Sequence, residues 1–110
     1  MKVYHGTVTE HGCAVVVEED GQCRSLDPRF DLRTHSSTGF SWGSYGSSGP
    51  AQLSLALAAE DIGDDDKARG VYQCLKCKLV GGLPPEGWTL TEGHVKAAIE
   101  AIEQQRDRLR

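Results

Sequence analysis

Two kinds of hydrophobic spacing divide this chain. Val3 to Val8 and Cys13 to Glu18 are rich in β-branched and aromatic residues, and Glu10-His11-Gly12 between them suits a hairpin turn. A second turn at Glu19-Asp20-Gly21-Gln22 leads into Cys23 to Leu26, so the first quarter predicts a three-stranded antiparallel meander. Asp27-Pro28 ends it, because proline supplies no ladder N–H and biases its predecessor away from helix. Arg29 to Ser37 reads as irregular or briefly extended.

After Pro50 the spacing becomes helical. Ala51, Leu53, Leu55, Ala56, Leu57, Ala58, Ala59 and Ile62 predict a helix that is apolar nearly all round and therefore central and buried. Gly63 stops it, and Asp64 caps a second helix with Ala68, Val71, Tyr72, Leu75 and Leu79 on one face. Residues 81–87 form a loop rich in glycine and proline. Thr91 then caps a third helix, with Val95, Ala98, Ile99, Ile102 and Leu109 on its buried stripe and Arg106, Arg108 and Arg110 suited to its negative end. Strands followed by helices without alternation predict one α+β domain over residues 1–110, a small antiparallel meander of about three strands packed against three α-helices.

Composition narrows the partners. With 110 residues, 38% apolar and 25% charged, the chain is expected to be a soluble globular domain that folds alone or as a small oligomer. The N-terminal residues lack the apolar core of a secretory signal, and no apolar run approaches the ~20 residues needed to span a bilayer. A cytoplasmic location without membrane contact is therefore expected, with the four cysteines as thiols. A net charge of −4 argues against sequence-independent binding to a phosphate backbone, so direct nucleic-acid binding is not expected.

The candidate chemistry lies where the Gly/Ser stretch Thr38 to Gly49 meets the apolar helix. Glycines let backbone N–H groups converge, and the free amides at a helix start favour an anion. The stretch is neither a Walker A motif nor a Rossmann fingerprint, because no Gly-Lys-Ser/Thr opens the helix and the glycine spacing is wrong. The functional reading is a pocket for a small anionic ligand or a protein partner. In it Gly46, Ser47, Ser48 and Gly49 present hydroxyls and amides, Trp42 or Tyr45 stacks, Gln52 adds an amide, and Arg33 and His35 lie alongside. The structural alternative is a tight connection with Phe40 and Trp42 in the core.

The other features are weaker. Cys74-Leu75-Lys76-Cys77 lies on a predicted helix with no second close pair, so no metal or cofactor is assigned. His35 beside Ser36 and Ser37 does not make a catalytic triad, and the chain is read as non-enzymatic. Glu18-Glu19-Asp20, Glu60-Asp61 and Asp64-Asp65-Asp66 are acidic clusters of the kind that form solvated faces or helix caps, and Asp64 to Asp66 have a capping and dipole role at the second helix. The second functional reading takes them as a surface imitating nucleic acid, in an acidic inhibitor of a host defence complex.

The segments from His35 to Gly43 and from Gly49-Pro50-Ala51-Gln52-Leu53 to Leu57 also carry a resemblance. With Leu26-Asp27-Pro28-Arg29 and Gly87-Trp88-Thr89-Leu90-Thr91 flanking them, they resemble a family of small proteins catalogued as domain of unknown function 6166. It occurs in bacteria, archaea, their phages and plasmids. The resemblance spans nearly the whole chain and implies an accessory protein, often carried by mobile elements, without implying a reaction. This sequence departs from the usual pattern by one extra residue between Trp42 and Gly49, read as Ser44, which alters the loop and leaves the fold intact.

Overall fold

The computed structural model describes residues 1–37, 39–43 and 48–108. Strands β1 (Lys2–Thr9), β2 (Gly12–Glu19) and β3 (Gln22–Ser25) form the expected meander, followed by α1 (Ser48–Ile62) and α2 (Asp65–Lys78). The residues after them add a short 3-10 turn at Val80–Gly82, a further strand β4 (Gly87–Thr91), and α3 (Glu92–Arg108). The sheet is antiparallel with order β3-β2-β1-β4. The fold is α+β, with this sheet packed against three helices.

Strand β4 extends the expected three-stranded meander to four. Its residues follow the Pro84-Pro85 turn, and only Trp88 and Leu90 point into the core, an alternation too short to stand out in the sequence. Its partner is β1, aligned Tyr4 with Leu90 and Gly6 with Trp88. Gly6 is required by this pairing, since a Cβ there would overlap the Trp88 indole.

The helix boundaries follow local chemistry. Gly63, at φ +74, accommodates the turn that ends α1, and its N–H donates to the Ala59 carbonyl. Asp64 Oδ1 accepts from the Lys67 N–H at 3.1 Å, the expected cap of α2. Thr91 Oγ1 accepts from the His94 N–H at 3.2 Å and caps α3 in the same way. Arg106 and Arg108 occupy the last turn of α3; the expected positions Leu109 and Arg110 lie outside the described residues.

Helix α1 is the axis of the core. Every residue from Gly49 to Ala59 is buried, so α2, α3 and the sheet side of the core leave none of its central turns to water. Its C-terminal end carries Glu60 and Asp61 and has no basic residue in its last turn, an arrangement opposed by the negative pole of the helix. Cations from the sheet offset part of this. Lys2 Nζ reaches the Glu60 carboxylate at 2.9 Å and the Glu60 carbonyl at 3.1 Å, and Arg24 Nη1 meets the carboxylate at 2.7 Å.

The Arg24 and Lys2 contacts hold the Glu60 carboxyl down to about 2, below its ordinary value near 4.5. A depressed acid contributes stability that is complete above the unfolded value and disappears as pH falls through the folded one. Glu60→Gln should therefore lower stability at neutral pH and flatten the loss of stability between pH 4.5 and about 2. Urea melts at several pH values measure this, and parallel pH profiles for the two proteins would contradict it.

Candidate functional site

The junction between the irregular segment and α1 is organised by one buried amide. Gln52 is 0% exposed, and its side chain uses both donors and both acceptor positions on the chain itself. Nε2 donates to the Pro28 carbonyl at 2.6 Å and to the Arg33 carbonyl at 3.1 Å. Oε1 accepts from the His35 N–H at 2.7 Å and the Ser36 N–H at 3.1 Å. The segment 28–36, which makes no strand or helix, thus obtains from α1 the backbone partners that a sheet would otherwise supply.

Local turns complete that segment. The Arg29 N–H donates to Asp27 Oδ1 at 2.9 Å, Arg29 takes φ 58, and the Leu32 N–H returns to the Arg29 carbonyl at 3.0 Å. The Arg29 guanidinium bridges Asp31 and Asp65, pinning the turn to the start of α2.

The expected pocket residues separate into three groups. Trp42, Gly49 and Gln52 are structural. Trp42 is 7% exposed and packs edge-on against Trp88 with ring centroids 5.3 Å apart, so no face of it is open for a ligand to stack upon. Gly49 lies against Ser41, whose side chain would overlap a Cβ at that position. Gln52 has no hydrogen-bonding capacity left to offer a ligand. These placements correct the expectation that the three face a ligand: the apolar surroundings of α1 draw the ring and the amide inward, where the amide finds backbone partners. Tyr45, Gly46 and Ser47, with the inserted Ser44, lie outside the described residues. Ser48 is exposed at the first position of α1.

Arg33 and His35 form the third group, and the fold brings them to α2. His35 Nε2 lies 2.7 Å from the Tyr72 hydroxyl, and Gln73 Nε2 donates to the same hydroxyl at 3.2 Å. Burial, then Arg33 and Lys76, push the His35 imidazole below its ordinary value, which favours the neutral ring. With Nε2 unprotonated, the Tyr72 O–H donates to it and accepts from Gln73, so the hydroxyl's one donor is used. Beside this chain of contacts a surface hollow of about 410 Å³ is lined by Leu32, Arg33, Leu55, Arg69, Tyr72 and Gln73.

Charge distinguishes this hollow. Lys2, Arg24, Arg29, Lys67, Arg69 and Lys96 each lie within ion-pair distance of a carboxylate. Among the described residues Arg33, Lys76, Lys78, Arg106 and Arg108 have no such partner; of these Arg33 lines the hollow, and its neighbour there, Arg69, is held only by the exposed Asp66 at 3.1 Å. An acidic chain therefore keeps a local excess of positive charge where a planar guanidinium, an aromatic ring and an amide converge. Arg69, Tyr72, Gln73 and Lys76 were not singled out by sequence reasoning. The one available signal was that Tyr72, placed on an apolar helix face, carries a polar group needing a partner.

The cysteines do not assemble. Cys74 and Cys77 are exposed on α2, Cys23 is exposed on β3, and Cys13 is partly buried on β2. Among the described residues no group of three or more His, Cys, Asp or Glu side chains is placed to hold a metal ion, and no helix is long and apolar enough to cross a membrane. The acidic run at the start of α2 is engaged internally, with Asp64 capping, Asp65 on Arg29 and Asp66 on Arg69.

The family model for the family of unknown function DUF6166 matches residues 4–101. The chain belongs to that family. The matched span runs from Tyr4 in β1 into α3 and includes the Gln52 junction and the Arg33 hollow. No curated protein and no solved structure matches the chain.

Removing the Gln52 amide should cost far more than an exposed substitution. Gln52→Ala leaves two carbonyls and two N–H groups to find new partners, and a loss of roughly 3 kcal/mol is expected from the cost of unmade buried hydrogen bonds. Gln52→Glu keeps the shape but points acceptors at the Pro28 and Arg33 carbonyls, and should be comparably destabilised at neutral pH. Denaturant midpoints measure both, and a Gln52→Ala change below about 0.5 kcal/mol, the range of ordinary surface substitutions, would refute the assignment.

Proposed function

We propose that this protein is a non-enzymatic binding protein of the cytoplasm that recognises a small anionic, nucleotide-like ligand. The contact surface is the hollow between the Gln52-held segment and α2 rather than the mouth of α1 alone. One observation carries the reading: in a chain of net charge −4, the hollow is lined by Arg33 and Arg69 and by no carboxylate, and Arg33 has no carboxylate partner among the described residues. Arg33 and Arg69 supply forks that match phosphate or carboxylate oxygens, Gln73 an amide, and Leu32 and Leu55 an apolar floor for a base or ring.

On this reading Arg33 and His35 are the ligand neighbours, and Gln52 holds the segment that carries them. His35 supports the non-enzymatic reading because its Nε2 is committed to Tyr72 rather than to a serine hydroxyl. Four free thiols are consistent with a reducing compartment. The occurrence of this family in phages and plasmids favours an accessory role in which binding alone lowers the concentration of a signal. The alternative of an acidic protein-directed inhibitor draws little support from the Asp64 to Asp66 run, whose carboxylates are taken up by a cap and two ion pairs.

Isothermal titration with inorganic phosphate, mononucleotides and cyclic dinucleotides tests the proposal. At least one phosphate-bearing member should bind, and Arg33→Ala and Arg69→Ala should each weaken it by about tenfold, the loss expected for a charge-assisted contact. Ser48→Ala should leave the affinity within about twofold. No heat from any member defeats the small-anion reading. A loss confined to Ser48→Ala returns the site to the mouth of α1.

A further inference from the structure

A second hollow, of opposite character, lies between the C-terminal end of α1 and α3. Its volume is about 260 Å³, and Asp61, Glu100 and Glu103 line it together with Ile62, Ile99, Lys67 and Lys96. Three carboxylates against two ammonium groups leave it negative, and the negative pole of α1 adds to that charge.

The decisive feature is a pair of buried carboxylate oxygens whose partners among the described residues are half-exposed lysines. Asp61 has a side chain only 1% exposed, and the Tyr4 hydroxyl contacts its Oδ1 at 3.3 Å. Its Oδ2 is buried without a hydrogen bond, with Lys96 Nζ 3.5 Å away. Glu103 Oε1 is likewise buried without a hydrogen bond; Lys67 Nζ is 3.0 Å from it but does not meet it in hydrogen-bonding alignment. The buried side-chain oxygens lacking hydrogen bonds among the described residues are thus both carboxylate oxygens, and both belong to this one hollow. Buried acceptors carry a desolvation cost unless a donor reaches them. Consistent with this, burial pushes the Asp61 carboxyl above its ordinary value despite the opposing effects of Lys96 and Tyr4.

We propose that this hollow binds an aliphatic diamine or polyamine, with ammonium groups donating to Asp61 Oδ2 and Glu103 Oε1 and the methylene chain lying on Ile62 and Ile99. An ammonium group brings three N–H donors on a single nitrogen and can enter a narrow opening. Lys67 and Lys96 are about half exposed, so their ion pairs are weak and their side chains are free to swing outward when a better-placed cation arrives. A divalent metal fits less well, because among the described residues no three carboxylates, these included, are placed to hold one ion, and a hard cation demands a shell of oxygens.

The test is titration of the full chain at low salt with putrescine, spermidine, magnesium and calcium, followed by amide chemical shifts. Putrescine or spermidine should bind saturably and shift the amides of Asp61, Ile62, Ile99 and Glu103. Asp61→Asn combined with Glu103→Gln should weaken binding by about tenfold or more, with circular dichroism checking the fold. Should that double variant fail to fold, Lys67→Ala serves instead: it removes a competing cation from an exposed position and should tighten binding several-fold. Absence of saturable shifts at millimolar amine, shifts confined to other surfaces, or unchanged affinity in the folded variants overturns the proposal. So does saturation of these amides by magnesium or calcium but not by amines.

Discussion

A buried amide surrounded by backbone is the constraint on which this structure depends. Gln52 sits in the first turns of a helix whose other central side chains are almost all small or apolar, and no water reaches it. A polar group in that position is tolerable only if every donor and acceptor is met, and the segment 28–36 meets all four. The dependence is mutual. Without Gln52 the segment loses its partners, and without the segment α1 carries an unsatisfied amide in its core. Ser54 repeats the device two residues later, its hydroxyl donating to the Tyr72 carbonyl at 2.6 Å and fixing α2 against α1. Two polar side chains on one apolar helix therefore set the position of both walls of the Arg33 hollow.

That dependence explains what was legible in the sequence and what was not. The meander, the three helices and the caps at Asp64 and Thr91 follow from short-range patterns, since each needs only neighbours within a few residues. Strand β4 was hidden because its pairing partner is β1, more than eighty residues earlier, and its inward alternation is carried by Trp88 and Leu90 alone. Trp42 and Gln52 were legible as special residues but not in their direction. An indole beside glycines suits a ligand or a core equally well, and a glutamine at a helix start suits solvent until the fold places backbone around it. Arg33 and His35 were found as neighbours of the loop. Their true companions on α2 come from a segment 36–43 residues later that periodicity marks only as a buried face.

The distribution of charge follows from the same architecture. Because α1 is enclosed over its central turns, its polar ends meet the surface at opposite sides of the molecule's core. At its C-terminal end Glu60 and Asp61 gather cations from three elements, Lys2 from β1, Arg24 from β3 and Lys96 from α3. Those two lysines and that arginine serve to neutralise carboxylates. Arg33, on the segment that Gln52 holds, has no carboxylate partner among the described residues and lines a hollow without carboxylates. A modestly acidic chain thus acquires one positive and one negative concavity without any large change in its net charge.

The two concavities differ in how their charges are held, and that difference bears on specificity. In the positive hollow His35 and Gln73 both bond to the Tyr72 hydroxyl, which ties the irregular segment to α2 beneath the cations. Under the proposed function, selectivity there would come from the spacing of the guanidinium groups. In the negative hollow Asp61 Oδ2 and Glu103 Oε1 lack aligned donors while two half-exposed lysines wait at the rim. A cation entering it gains by completing buried hydrogen bonds rather than by meeting free charge, so the contact discriminates against ions that cannot donate. Shape in the first case and hydrogen-bond completion in the second arise from one helix whose middle is sealed and whose ends are left to the side chains around them.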